Sequence, residues 1–222
     1  MVGFNQDTLN YLKEVREQNS REWFKENKNR YLKSLISPLQ NFVGMLSEVM
    51  YGIDEEFELT PSVHKTISGI NRDTRFSKDK TLYKDKMWVT FKKYGKSKID
   101  YPAFFFELSP YGYRYGMGFF LASNESMRKV RERMLNKERQ AIQLITKMEK
   151  DGVFHIEGDM YKRNMYPDSN PLLQQWINRK NIYVVYNSEV VEELMNESFI
   201  ETVKNDYASL AGLYDFFVQA LK

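Results

Sequence analysis

Cysteine is missing from all 222 residues. That excludes disulfides, a thiolate nucleophile and metal centres held by sulfur. Histidine is nearly missing too: His64 and His155 stand far apart, and neither has the spacing of a ligand pair. No glycine-rich cradle precedes a helix, and no G-x-S-x-G elbow occurs, so the common phosphate-loop and serine-hydrolase signatures are excluded. Apolar runs such as 103–106 are far too short to cross a bilayer. The opening residues, from Met1 to Asp7, lack the basic start and apolar stretch of a signal peptide. A soluble, cytoplasmic protein without membrane partners is therefore expected. Charge of one sign is not in excess either. Thirty-three bases meet 30 acids, a net +3, which gives little support to coating of a long polyanion.

What is present is apolar and aromatic. The chain is 42% hydrophobic and 15% aromatic, enough to bury a sizeable core. No Pro/Gly/Ser-rich linker interrupts it, so one domain spanning 1–222 is expected. Asn5 is placed to cap a helix over about 6–17, with Phe4 and Leu9 at staple positions. Ser20 is placed to cap the next helix, with Glu22 favoured in its first turn. Pro38, after a Ser37 cap, predicts a break or kink. A helix then carries Leu39, Phe42, Val43, Leu46, Val49 and Met50 on one face. The middle of the chain reads as strands over 66–71, 87–94, 103–109 and 112–120, the last two forming a hairpin around Pro110-Tyr111. In a two-residue-loop register Phe104, Phe106, Leu108, Tyr113, Tyr115 and Met117 share one face. Ser123 caps helices over 124–136 and 138–150, closed by Gly152. A short strand near 153–157, a helix over 170–179 and a strand over 182–186 follow. Val203, Tyr207, Leu210, Tyr214, Phe217 and Leu221 form the stripe of a last helix. Helices, a meander of strands, then helices predict an α+β fold with a largely antiparallel sheet.

Charge is unevenly distributed. Residues 72–98 hold ten bases and three acids, +7, which leaves −4 elsewhere. The segment 71–84, NRDTRFSKDKTLYK, concentrates the chemistry. Arg72 and Arg75 offer planar forks to phosphate or carboxylate. Lys78, Lys80 and Lys84 add point charges, and Thr74, Ser77 and Thr81 add hydroxyls, with Tyr83 among them. Such a set suits a phosphorylated or otherwise anionic ligand, and less well a nucleic-acid backbone. The plainer reading is an internal network, in which Asp73 and Asp79 pair with the bases. Two further groups are candidates for ligand contact. Trp23, Asn27 and Tyr31 fall on one helical stripe, which equally suits aromatic packing with a satisfied amide. On the outer hairpin face lie Glu107, Arg114, Gly116 and Gly118. The glycines leave room for a ligand or another backbone, and Glu107 opposite Arg114 reads most simply as a cross-strand pair. Asp73 and Glu107 are the weak candidates for a catalytic base. No spacing supports a metal site, and no cofactor is implied.

These motifs carry a resemblance. Asn19-Ser20-Arg21-Glu22-Trp23-Phe24 with Asn27, Lys28, Arg30 and Tyr31, then 72–80 (RDTRFSKDK) with Tyr83-Lys84, then Gly116-x-Gly118 and Arg128 resemble the domain of unknown function 2461, a mainly bacterial family. The likeness spans nearly the whole chain. Leu82, Leu121-Ala122 and Asn170-Pro171 depart from that family, which usually has Pro, Pro and His-Pro there. The resemblance implies one domain and no activity.

Three functions remain open: a binding module for a small anion, an enzyme acting on a phosphorylated or other anionic substrate, and a scaffold with no small ligand. All turn on whether the cations after residue 71 have donors left once the chain's own acceptors are served.

Overall fold

The computed structural model describes residues 2–75, 78–95, 100–120 and 122–222. Helix α1 (Gln6–Gln18) starts where expected. Asn5 accepts the Thr8 N–H, and the Thr8 hydroxyl accepts the Asn5 N–H in return, which satisfies two end donors at once. Ser20 caps α2 (Arg21–Glu26) through the Trp23 N–H. The turn α3 (Lys28–Arg30), a π-helix (Tyr31–Ile36) and α4 (Ser37–Ile53) then follow without interruption.

Of the expected break or kink at Pro38, the break does not occur. Ser37 has helical dihedrals and is not the N-cap of α4. Its N–H donates to the Leu32 carbonyl, five residues back. Pro38 lacks the N–H that would continue the ladder, and its ring would crowd the carbonyl four residues before it. A wider turn immediately ahead accommodates both facts, so the chain stays helical. Leu39, Phe42, Val43, Leu46 and Met50 are buried as expected.

The expected strand over 66–71 is also absent. It is replaced by isolated bridges, Ile67 with Val89 and Asn71 with Tyr83. Between them one side advances four residues and the other six, so the two stretches cannot share one register. The offset interrupts the ladder although Ser68 N–H reaches Trp88 O and Arg72 N–H reaches Leu82 O, each at 2.8 Å.

The five strands are β1 (Met87–Phe91), β2 (Ala103–Ser109), β3 (Gly112–Gly118), β4 (His155–Glu157) and β5 (Tyr183–Ser188). They form one antiparallel sheet in the order β1-β2-β3-β5-β4. In β4 and β5, Ile156 pairs with Val184. The hairpin face named from the alternation, Phe104 through Met117, is buried at every position. Helices α5 (Asn124–Asn136), α6 (Glu138–Asp151) and α7 (Pro171–Ile177), a 3-10 turn (Val191–Met195) and α8 (Phe199–Leu221) complete the α+β fold.

Two compact units emerge, each drawn from three stretches of chain. In the first (Met1–Phe91, Phe105–Arg114, Asn187–Lys204) the core is built on Phe42 and Phe106, 4.5 Å apart, with Phe4 and Phe199 beside them. In the second (Lys92–Phe104, Tyr115–Tyr186, Asn205–Lys222) Tyr115 packs against Tyr186, Tyr207 and Phe154. Arg131 is buried there. It donates to the Ile177 and Arg179 carbonyls at the end of α7, so carbonyl dipoles offset its charge. Within this unit Gly116 and Gly118 face β5. A Cβ at Gly116 would stand 1.9 Å from the Val184 carbonyl oxygen, and one at Gly118 2.5 Å from that of Ile182. Backbone cannot yield as a side-chain tip can. Gly116→Ala is therefore expected to destabilise the protein by about 1–3 kcal/mol, read as a lower midpoint in denaturant melting.

Candidate functional site

The charged segment is placed by one side chain. Asn19 ends α1 in the left-handed region, at φ 30°, a conformation asparagine tolerates better than most residues. Its amide nitrogen donates to the carbonyls of Val15 and Tyr83, both at 3.0 Å. Its amide oxygen accepts the N–H groups of Leu82, at 2.6 Å, and Tyr83, at 3.1 Å. One residue thus closes a helix and grips the backbone 64 positions away. Tyr83 is buried and stacks on Phe24 at 4.5 Å. Opposite it, Lys84 N–H donates to the Ile70 carbonyl and Arg72 N–H to that of Leu82. This pairing sets Arg72 and Lys84 diagonally on one side of the ribbon, while Tyr83 turns to the other.

Much of the segment's charge is spent internally. Arg75 makes a two-pronged contact with Asp73, at 3.0 and 2.7 Å, in an exposed turn. Those bonds and the Arg75 N–H hold the Asp73 carboxyl down at about 2. The Lys80 ammonium donates to the Thr74 carbonyl at 2.7 Å. Asp79 Oδ1 accepts both the N–H and the hydroxyl of Thr81, and its Oδ2 lies 3.2 Å from Arg72 Nη1. Lys78 is exposed. Ser77 lies outside the described residues.

Arg72 and Lys84 differ from these. The Nε of Arg72 is buried and meets no acceptor among the described residues. The Lys84 ammonium sits 5.4 Å from the Trp88 ring centroid and, among the described residues, meets no carboxylate. Burial lowers the Lys84 pKa from its ordinary value, and the positive charge of Arg72 lowers it further. Trp88 is fixed by donating to Glu107 Oε2 at 3.0 Å, while Lys86 takes Oε1 at 2.8 Å.

Glu107 therefore serves β1 and its flank, through Lys86 and Trp88. Arg114 lies over the Phe105 ring at 5.8 Å. The room left by Gly116 and Gly118 is filled by the carbonyls of Val184 and Ile182. Of the two candidate bases, Asp73 has its carboxyl lowered, the opposite of what a base at neutral pH needs. Burial raises the carboxyl of Asp206, which accepts the Tyr115 hydroxyl at 2.5 Å in the second unit. Among the described residues no group of His, Asp and Glu is disposed to hold a metal, and no helix is long and apolar enough to cross a membrane.

Trp23 and Tyr31 belong to an aromatic cluster. Tyr11 lies 5.4 Å from Trp23 and 6.1 Å from Tyr31, and Phe24 lies 5.3 Å from Tyr31. Asn27 donates to the Trp23 carbonyl. Arg30 stacks over Tyr11 and is held by Asp7 and Glu14. Burial pushes the Tyr31 phenol up to about 12. Tyr11 is fully buried and its hydroxyl has no partner among the described residues.

Across residues 7–216 the chain matches the model of a family described as a conserved hypothetical protein, DUF2461. The chain belongs to that family. No curated protein matches it. Asn19, Trp23, Asn27, Tyr31, Arg72 and Lys84 all stand in the family-like motifs, but the sequence assigned Asn19 no role and passed over Trp88. The one available signal for Asn19 was an asparagine at a helix end directly before a second capping residue.

Replacing Asn19 by Ala removes four hydrogen bonds, two accepted by Oδ1 and two donated by Nδ2, and leaves a strained backbone. A loss of about 2–3 kcal/mol is expected. Asn19→Gly relieves the backbone alone, so only part of that loss should return in chemical denaturation. Tyr11→Phe deletes an unpaired buried hydroxyl and is expected to be neutral or to stabilise by up to about 1 kcal/mol.

Proposed function

We propose that this protein binds a small anionic ligand at Arg72 and Lys84, in the cytoplasm. What supports the reading is one observation: two cations share one face of the ribbon, and among the described residues the buried Nε of Arg72 meets no acceptor. Holding two partly buried like charges together costs stability. A bound phosphate or carboxylate would offset that cost and supply the absent acceptor. Arg75, Lys78 and Lys80 are exposed, so they would attract the ligand more than fix it. The balanced total charge favours a small ligand over a nucleic acid.

Calorimetric titration with inorganic phosphate tests the proposal. Wild-type protein is expected to bind, and Arg72→Gln or Lys84→Met to weaken binding by roughly 10–100-fold, the worth of one charge-assisted hydrogen bond. Absence of wild-type binding, or equal binding by all three proteins, would overturn it. Stability should move the other way. The native Lys84 pKa lies below its unfolded value, so the unfolded chain holds that proton more tightly. The cost is then full below the native pKa and fades as pH rises towards the ordinary lysine value. Lys84→Met is expected to raise the melting temperature by about 1–3 °C at neutral pH, with the gain shrinking in alkali.

A further inference from the structure

Three cations of the charged stretch and its flank are held by oxygen: Arg75 by Asp73, Lys80 by the Thr74 carbonyl and Lys86 by Glu107. Lys84 is held differently. Its ammonium lies 5.4 Å from the centroid of the Trp88 ring and donates no hydrogen bond among the described residues. A ring face attracts a cation through its quadrupole and takes none of its N–H donors. A carboxylate in that place would neutralise the charge and occupy donors that an anion needs. The ring is itself fixed from two sides. The Trp88 N–H donates to Ser68 Oγ at 3.0 Å, and the Trp88 carbonyl accepts the Ser68 N–H at 2.8 Å. On the neighbouring strand β2, Glu107 takes the indole N–H at 3.0 Å with one oxygen and the Lys86 ammonium at 2.8 Å with the other. The Glu107 side chain is 13% exposed, so little water competes for either bond. Lys86 balances the Glu107 charge, and the carboxylate acts on Lys84 only through the ring.

Resting on the anion-binding reading above, we infer that Glu107 and Trp88 are positioning residues of that site: Glu107 orients the indole, and the indole holds the Lys84 ammonium in place with its donors uncommitted. Neither residue needs to touch the ligand. The ring contributes in two ways. It restricts a long side chain before the ligand arrives, so less freedom is lost on binding. It also favours the ammonium form, whereas burial and the charge of Arg72 both favour the neutral amine.

The experiment titrates the full chain with inorganic phosphate at neutral pH, followed by NMR. Trp88→Leu is expected to weaken binding by about 5–20-fold and Glu107→Leu by about 3–10-fold. Glu107→Gln keeps an oxygen for the indole N–H and should stay within about threefold of wild type. Both residues act through the ammonium, so in a Lys84→Met background Trp88→Leu and Glu107→Leu should cost less than about twofold more. A merely structural role would disturb Arg72 as well, and the losses would then multiply. Without phosphate, the ring-current shift of the Lys84 side-chain protons reports the contact directly. It is expected in wild type and Glu107→Gln, reduced in Glu107→Leu and absent in Trp88→Leu. Should Trp88→Leu fail to fold, the two Glu107 variants still decide the matter. Wild-type binding of phosphate that Trp88→Leu and Glu107→Leu leave unchanged, or that they weaken equally with and without Lys84, would overturn the inference and leave the anion site standing. Failure of the wild type to bind would overturn the anion site itself, and this inference with it.

Discussion

The four hydrogen bonds of the Asn19 side chain are the constraint on which the described site depends. They join the end of α1 to the backbone at Leu82 and Tyr83. From there Tyr83 is committed to Phe24, and its neighbour Lys84 is committed to the opposite side, with Arg72. A single amide, satisfied on both its donor and acceptor ends, thereby fixes which way a strongly charged ribbon faces. The ribbon has no regular strand to do this, since its two sides run out of register between Ile67 and Asn71. Tertiary hydrogen bonding replaces secondary structure as the source of order.

Charges in the segment fall into two kinds. Asp73 with Arg75, and Asp79 with Thr81, close on residues two positions away. These are short-range turns that the chain can form almost anywhere, and in an exposed setting they contribute little stability. Arg72 and Lys84 come from the two paired stretches of the ribbon and share a face only because the fold pairs those stretches. That contrast separates polar decoration from a placed pair of cations, and the functional proposal rests on the placed pair alone.

Features set by near neighbours were legible in the sequence. Asn5, Ser20 and Ser123 cap their helices as expected. The alternation over 103–117 gave the buried hairpin face, and the stripe through Val203, Tyr207 and Phe217 gave α8. What escaped depends on distant partners. Alternation over 66–71 looks like a strand, but pairing across a two-residue offset is invisible in one segment. That Lys86 and Trp88 both reach Glu107 could not be read from its own strand. The charged segment was visible as a candidate site from composition. Which two of its cations would be left facing each other was not, because that follows from Asn19 and from the Asn71–Tyr83 bridge.

The π-helix Tyr31–Ile36 links two faces that would otherwise be out of step. A π turn holds one residue more than an α turn, and each α residue rotates a side chain by about 100°. Upstream, Tyr31 must meet Tyr11 and Phe24; downstream, Leu39 and Phe42 must meet the core. The extra residue supplies the angular correction that lets both hold in one unbroken rod. A chain shortened by one position here would regain ideal pitch and lose the alignment of one face or the other. The irregular turn is thus the phase adjustment by which a continuous helix serves two neighbourhoods at once.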